Sequence, residues 1–407
     1  MPQQLNSVRK LSRRTFLAAS GVAAAWAITG CKSMSGTDVS SLPKKSAMYK
    51  ALFGTLPDGR KVYQYTLTNS NGMIVQLITY GARLQRIQAA DRNGTPGDVI
   101  LGFDNLASYA THHAMDPYFG ATIGRYANRI ANGKFTLNGT TYHLPINDTP
   151  YPNTLHGGPH AWDQKVWTAT EVTELGAPGV RFNLFSPAME NGFPGDVEVA
   201  ATYTLNEKNE LHVHFRANAD APTVINMCNH AYFNLNKPGT RVLDHVVTIN
   251  ADHYTPVNKV LIPTGKIAPV AGTPYDFRKP VQLSTRLKPA YHGTSNIAFD
   301  EVPYGYDMNW CLNNQDETKL AFAARIQEAK TGRVLDCYTT QPGIQVYTGN
   351  FLNGKIKGIG GHYPYHGAIT LETQHYPNSP NQPNFPSTVL NPGEAYFQRT
   401  VYKFSTM

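Results

Sequence analysis

The sequence predicts an all-β protein, a large antiparallel β-sandwich, and three observations carry this. Short runs in which apolar and polar residues alternate recur from about Phe53 onward, and a period of two is the pattern of a half-buried strand. Clusters of Asn, Asp, Gly and Pro punctuate the runs, drawn from 34 Gly and 28 Pro, as the turns of a sandwich require. Stretches with a sustained 3.6-residue period are nearly absent, so the helices of an α/β design have no sequence to form them.

Taken in order, Val62-Tyr63-Gln64-Tyr65-Thr66-Leu67 runs into Ser70-Asn71-Gly72, a strand ending in a tight turn. Lys134-Phe135-Thr136-Leu137 runs into Asn138-Gly139, the strongest hairpin signal present. Both central residues of a type I′ turn need positive φ, which Asn-Gly tolerates. Further strand patterns cover residues 197–205, 211–217, 242–249, 320–324, 334–338 and 395–404. No internal repeat or linker-like composition shift divides residues 51–407, which therefore read as one domain. With 41% hydrophobic residues, 23 Tyr and 17 Phe, that domain has ample material for a core and for aromatic binding surfaces.

Residues 1–30 read as an address. Ser12-Arg13-Arg14-Thr15-Phe16-Leu17 opens a stretch of small and apolar residues reaching Gly30, the pattern of a twin-arginine export signal. A helix of about fourteen such residues spans about 21 Å, short of the roughly 30 Å hydrocarbon core, which argues against a membrane-spanning anchor. Ile28-Thr29-Gly30-Cys31 resembles the lipobox at which bacterial lipoproteins are cleaved and acylated on Cys31; ordinary signal cleavage near Gly30 is the alternative. Residues 31–50, polar and aperiodic, are expected to be a flexible spacer. The expected location is periplasmic, with a lipid tether as the one contact with a membrane.

The formal net charge of +8 is partly a property of this segment. Arg9, Lys10, Arg13, Arg14, Lys32, Lys44, Lys45 and Lys50 lie there with Asp38 as the sole acid. Beyond Lys50 the balance is near neutral and no Lys/Arg run tracks phosphates, so nucleic acid is not an expected partner. Cys228, Cys311 and Cys337 allow at most one bridge and match no metal or redox spacing, so buried thiols are expected.

Four polar clusters sit beside apolar strand patterns: Ile123-Gly124-Arg125-Tyr126-Ala127-Asn128-Arg129-Ile130, Asn153-Thr154-Leu155-His156-Gly157-Gly158, Asn229-His230-Ala231-Tyr232-Phe233-Asn234 and Ile369-Thr370-Leu371-Glu372-Thr373-Gln374-His375. Arg129 could point to a polar pocket or make a surface ion pair. His156 precedes a Gly-Gly loop where backbone can approach a ligand, or it is a turn histidine satisfied locally. His230 and Glu372 each fall in a predicted strand. A buried Glu with no cation beside it in sequence has its ionisation disfavoured by burial and becomes a base suited to neutral pH. The bland alternative is a partnered core His and an edge Glu facing water.

Among 14 His, the pair His156 and His160 has helical spacing. Gly157, Gly158 and Pro159 between them forbid the helix that would put both on one face. No cluster has the spacing of a zinc or iron site, and there is no phosphate loop or Gly-x-Ser-x-Gly elbow. Neither metal nor cofactor is expected.

Together and in this order, the clusters resemble the aldose 1-epimerase (galactose mutarotase) family, over about residues 49–404. Supporting segments are Asp252-His253-Tyr254-Thr255-Pro256, Gly272-Thr273-Pro274-Tyr275-Asp276-Phe277, Gln341-Pro342-Gly343-Ile344-Gln345-Val346-Tyr347-Thr348-Gly349-Asn350 and Asn381-Gln382-Pro383-Asn384-Phe385-Pro386. The resemblance implies a β-supersandwich that binds a free aldohexose and interconverts its anomers. It implies Glu372 as catalytic base, His230 as catalytic acid, His156 near the ring oxygen, and Asn128, Arg129, Asp307 and Gln345 as sugar-binding residues. One segment departs from the family pattern Asp-His-Asn-Phe: here it reads Asp307-Met308-Asn309-Trp310, a change expected to bear on the shape of the pocket. Three rivals remain: a hexose-phosphate epimerase of the same fold, which needs extra cations for phosphate; a glycosidase using Glu372 and Asp307, which leaves His230 unexplained; and a lipid-anchored sugar-binding protein without catalysis.

Overall fold

The computed structural model describes residues 45–111, 117–287, 305–314 and 316–407. Arg13, Arg14, Cys31 and the spacer up to residue 44 lie outside them. The described chain is built from antiparallel sheets, as predicted. The largest has nine strands, in the order Thr168–Glu174, Ala177–Ser186, Val197–Leu205, Glu210–Ala219, Tyr396–Thr406, Arg333–Thr339, Ala321–Gln327, Val246–Ile249 and Val281–Gln282. A five-stranded sheet runs in sequence order through Ala47–Thr55, Lys61–Thr68, Ile74–Ile78, Arg83–Ala90 and Pro96–Asp98. A second takes the order Ala268–Pro269, His253–Thr255, Asp307–Cys311, Gly343–Tyr347 and Glu372–Gln374.

Alternation explains how these sheets pack. In the two central hairpin strands of the large sheet, Ala201 faces Phe215, Tyr203 faces Val213 and Leu205 faces Leu211, all buried. The intervening Glu198 and Arg216 are exposed. The inward rows of all three sheets meet in one core, with Leu67, Val75 and Leu84 from the first five-stranded sheet, Phe182, Phe215 and Tyr402 from the large one, and Trp310, Ile344 and Val346 from the second. Asn138-Gly139 makes the expected hairpin: Leu137 pairs with Thr140, and both turn residues take positive φ, 49° and 79°. The first strand begins at Ala47, inside the segment that composition assigned to the spacer, because Met48 packs on the core and Lys50 lies over the Tyr63 ring at 4.5 Å. Cys228, Cys311 and Cys337 are buried free thiols.

Candidate active site

Strand parity in the second five-stranded sheet sets out one wall. Asn309 pairs with Gln345 and Gln345 with Glu372, while Asp307 pairs with Tyr347. Since residues two apart share a face, Asp307, Gln345, Tyr347 and Glu372 lie on one side. Met308, Trp310, Ile344 and Val346 lie on the other, in the core. The departure at Met308 and Trp310 thus falls on the core face: neither residue lines the cavity, and Trp310 Nε1 donates to the Tyr275 carbonyl at 2.9 Å.

Three two-stranded ladders bring the other groups to this wall. Leu155 pairs with Arg129, which sets His156 beside Asn128, where the two exchange bonds: His156 N–H donates to the Asn128 carbonyl at 2.9 Å and Asn128 N–H to His156 Nδ1 at 3.1 Å. Both residues take positive φ. A Cβ on Gly157 would lie 2.3 Å from the Gly124 carbonyl oxygen, so this glycine is required by neighbouring backbone and not by a ligand. Cys228–Asn229 pairs with Thr122–Ile123, and Tyr232–Phe233 with Ile369–Thr370. His230 sits between these short strands rather than within one. Its backbone N–H donates to the Ala121 carbonyl and its carbonyl accepts from Gly120 N–H, both at 2.9 Å.

The result is a cavity of about 510 Å³ lined by Asn128, Arg129, His156, His230, Asp307 and Glu372, with Tyr118, Asp148, Tyr232, Tyr347 and Phe351 among the other walls. That volume is within the usual range of small-molecule sites, roughly 300–1,000 Å³. His230 Nε2 and Glu372 Oε1 are 3.5 Å apart, both groups buried. The His230 ring stacks on Tyr232 at 5.1 Å and meets His156 edge-on at 5.1 Å, and Tyr118 packs against both histidines. Burial pushes Glu372 up to about 8, only partly offset by a bond from Thr370. Burial pushes His230 down to about 3. His156 is held well below the ordinary histidine value by burial, His230 and Arg129. Burial thus disfavours the imidazolium form of His230 as well as the carboxylate form of Glu372. A low-polarity enclosure favours the uncharged pair, with a single shared proton on the carboxyl.

Arg129 is clamped by Asp148, Nε to Oδ2 at 2.7 Å, and lies 3.8 Å from Asp307 Oδ2. Burial opposes its charge, but the two carboxylates outweigh burial and keep it protonated. Asp307 is raised by burial, against the pull of Arg129 and Gln345. Gln345 is not among the cavity-lining residues; its Nε2 donates to Asp307 Oδ1 at 2.6 Å, so it orients the carboxylate. Asn128 Oδ1 accepts from Arg129 N–H at 2.9 Å, which leaves Nδ2 available to a ligand. Asp148 was not singled out in the sequence. Its one signal is the Asn147-Asp148-Thr149-Pro150 turn composition, and nothing local pairs it with a residue nineteen positions away. Arg125, in the same cluster as Arg129, is instead structural, donating to Ser186 Oγ and to the carbonyls of Ser186, Pro187, Phe193 and Pro194.

The donor atoms of His156, His230 and Glu372 lie within 4.8 Å of one another, close enough to raise the question of a metal. The Asn128 N–H bond answers it. It fixes Nδ1 of His156 as an acceptor, so in the neutral ring Nε2 carries the proton and neither nitrogen is left with a free lone pair for a metal. The residues suit a ligand with acceptor oxygens better than a cation.

The aldose 1-epimerase family model matches residues 63–403. The chain is 46% identical to the galactose mutarotase of Mus musculus over 358 residues, 88% of this chain and 98% of that one. It is 34% identical to the aldose 1-epimerase of Escherichia coli K12 over 353 residues, 86% of this chain and 96% of that one. Among solved structures, an aldose epimerase homologue from C. elegans superposes with TM-score 0.73 at 31% identity, covering 84% of this chain and 98% of that one. Galactose 1-epimerase from Lactobacillus acidophilus does so with TM-score 0.73 at 27% identity, covering 89% and 99%. A match over nearly the whole folded body shows that the chain belongs to the aldose 1-epimerase family of isomerases, which interconvert the anomers of aldoses.

Proposed function

We propose that the chain interconverts the α and β anomers of free hexoses such as galactose and glucose by acid–base ring opening, with Glu372 as base and His230 as acid. The observation that carries this reading is the buried Glu372–His230 pair, 3.5 Å apart in the cavity wall. Opening the ring needs one proton removed from the anomeric hydroxyl and one delivered to the ring oxygen. The bond from the anomeric carbon to the ring oxygen then breaks, an aldehyde forms, rotation about the adjacent carbon–carbon bond turns its other face, and the ring closes. A pair sharing one proton suits this, because the proton count of the enzyme is the same before and after. The sugar's hydroxyls supply hydrogen bonds that the charged carboxylate–imidazolium form needs. Neutral His156 offers Nε2–H to the ring oxygen, and Arg129 with Asp307 holds ring hydroxyls through charge-assisted bonds.

Charge supports a free sugar over a sugar phosphate. Among the described residues Arg129 is the sole Lys or Arg lining the cavity, and two carboxylates already face it. Polarimetry of freshly dissolved α-galactose and α-glucose tests the reading: the protein should accelerate the approach to equilibrium rotation, and hexose 6-phosphate should neither react nor compete. Rate equal to the buffer blank with both sugars refutes it.

The pair also sets the pH dependence. The form with one shared proton is lost on the alkaline side as Glu372 ionises near its value of about 8, and on the acid side only as His230 gains a proton far below neutrality. kcat/KM should therefore be flat across the mildly acidic and neutral range and fall above about pH 8. A decline that begins near the ordinary histidine value would contradict the assignment.

For location, we propose export by the twin-arginine route and a lipid tether on Cys31, supported by Arg13-Arg14 and the Ile28-Thr29-Gly30-Cys31 segment. Cys31→Ser should release protein from the membrane fraction, and Arg13→Lys with Arg14→Lys should retain it in the cytoplasm, since a Lys pair lacks the guanidinium geometry. Fractionation reads both; a Ser variant still bound to membrane would exclude the tether.

A further inference from the structure

The carboxylate of Glu372 is held at both oxygens, and the two holders differ in strength. Thr370 Oγ1 lies 2.9 Å from Oε1. Parity puts the two side chains together, since Thr370 and Glu372 are two residues apart while Leu371 between them is fully buried in the core. The direction of the Thr370 hydroxyl is set by a third group. Tyr347 N–H donates to Thr370 Oγ1 at 3.2 Å, so the hydroxyl accepts there and turns its own hydrogen to Oε1. On the other side Cys228 Sγ lies 3.6 Å from Oε2. A thiol is a weak donor, and burial together with the neighbouring Glu372 keeps Cys228 fully protonated.

Building on the ring-opening reading above, we infer that Thr370 and Cys228 are positioning residues that make the two oxygens of Glu372 unequal, Thr370 holding Oε1 and the weak thiol leaving Oε2 as the oxygen that takes the anomeric proton. Thr370 is fully buried and touches the base rather than the cavity. Its effect therefore goes through Glu372: it stabilises the carboxylate against burial and fixes its rotation. The Cys228 thiol restrains rotation without supplying the strong donor that would quench the basicity of Oε2. Three strands converge for this purpose, since Thr370 pairs with Tyr232 and Cys228 with Ile123, while Glu372 pairs with Gln345.

Three variants test the inference by polarimetric pH profiles, with Glu372→Gln alongside. Thr370→Val keeps the shape but removes a hydrogen bond to a group that must carry charge. kcat at neutral pH should fall about ten- to a hundred-fold with KM little changed, and the alkaline limb should move to higher pH. Thr370→Ser restores the hydroxyl and should recover both rate and limb. Cys228→Ser places a strong donor on Oε2 and should move the limb the opposite way, to lower pH. Loosened packing around Glu372 would relieve burial and move the limb to lower pH, opposite to the shift expected of Thr370→Val, and the serine variants keep the test open if the valine variant fails to fold. The inference is overturned if Glu372→Gln is inactive while Thr370→Val and Cys228→Ser both keep the wild-type limb. If Glu372→Gln stays active, the ring-opening assignment itself fails and takes the inference with it.

Discussion

Glu372→Gln should lower kcat for anomer exchange by a factor of about 10²–10⁴ while leaving sugar binding largely intact. The amide keeps the shape of the carboxyl and can still accept from Thr370, which donates to Oε1 at 2.9 Å, but it cannot take the anomeric proton. Stability should move in the opposite direction. Glu372 has its value in the folded chain raised from 4.5 to about 8, so the folded state holds a proton that the unfolded chain releases between those values. Wild-type stability therefore falls as pH rises through that window. Gln lacks this cost, so the stability gap in favour of the variant should widen from about pH 4.5 to about pH 8 and then level off. Thermal melts at several pH values check this, and they also show that lost activity is not lost folding.

His230→Asn should be nearly as damaging, lowering kcat by about 10²–10³-fold, because it removes the partner that shares the proton with Glu372. Some loss will come from packing, since the ring stacks on Tyr232 at 5.1 Å and meets His156 at 5.1 Å. A double-variant comparison separates the two causes. If both residues act on the same ring-opening step, the double variant loses much less than the product of the single losses. Multiplicative losses would mean independent roles and would remove the shared-proton account.

Much of the fold was legible because its signals are local. Asn138-Gly139 needs no distant partner to turn, and the strand pattern at 197–205 carries its facing in its own alternation at its outer end. Asp307 and Gln345 were named by the family resemblance, and parity gives the physical reason they meet Glu372: the three share a face once their strands pair. What stayed hidden depends on distant contacts. The clamp of Asp148 on Arg129 joins a loop to a two-residue strand, and neither segment names the other. Gln345 shares that face without being among the cavity-lining residues, a difference that alternation does not encode. The downward pull of burial on His230 was also beyond reach, because it follows from the enclosure of the whole pocket and not from any neighbour in sequence. Where sequence identity did depart from the family, at Met308 and Trp310, parity shows why the pocket is spared: both side chains point into the core.

In the proposed ring opening the anomers exchange by proton transfer between oxygens, with no bond from carbon to hydrogen broken. Exchange NMR on equilibrated galactose in D₂O measures this directly. Catalytic amounts of wild-type protein should produce cross peaks between the α and β anomeric protons, absent with Glu372→Gln, while the C1 and C2 protons persist without deuterium replacement. Loss of the C2 proton would reveal abstraction from carbon, and absence of enzyme-dependent cross peaks would show that this pocket does not open the ring; either result rules out anomer exchange by Glu372 and His230.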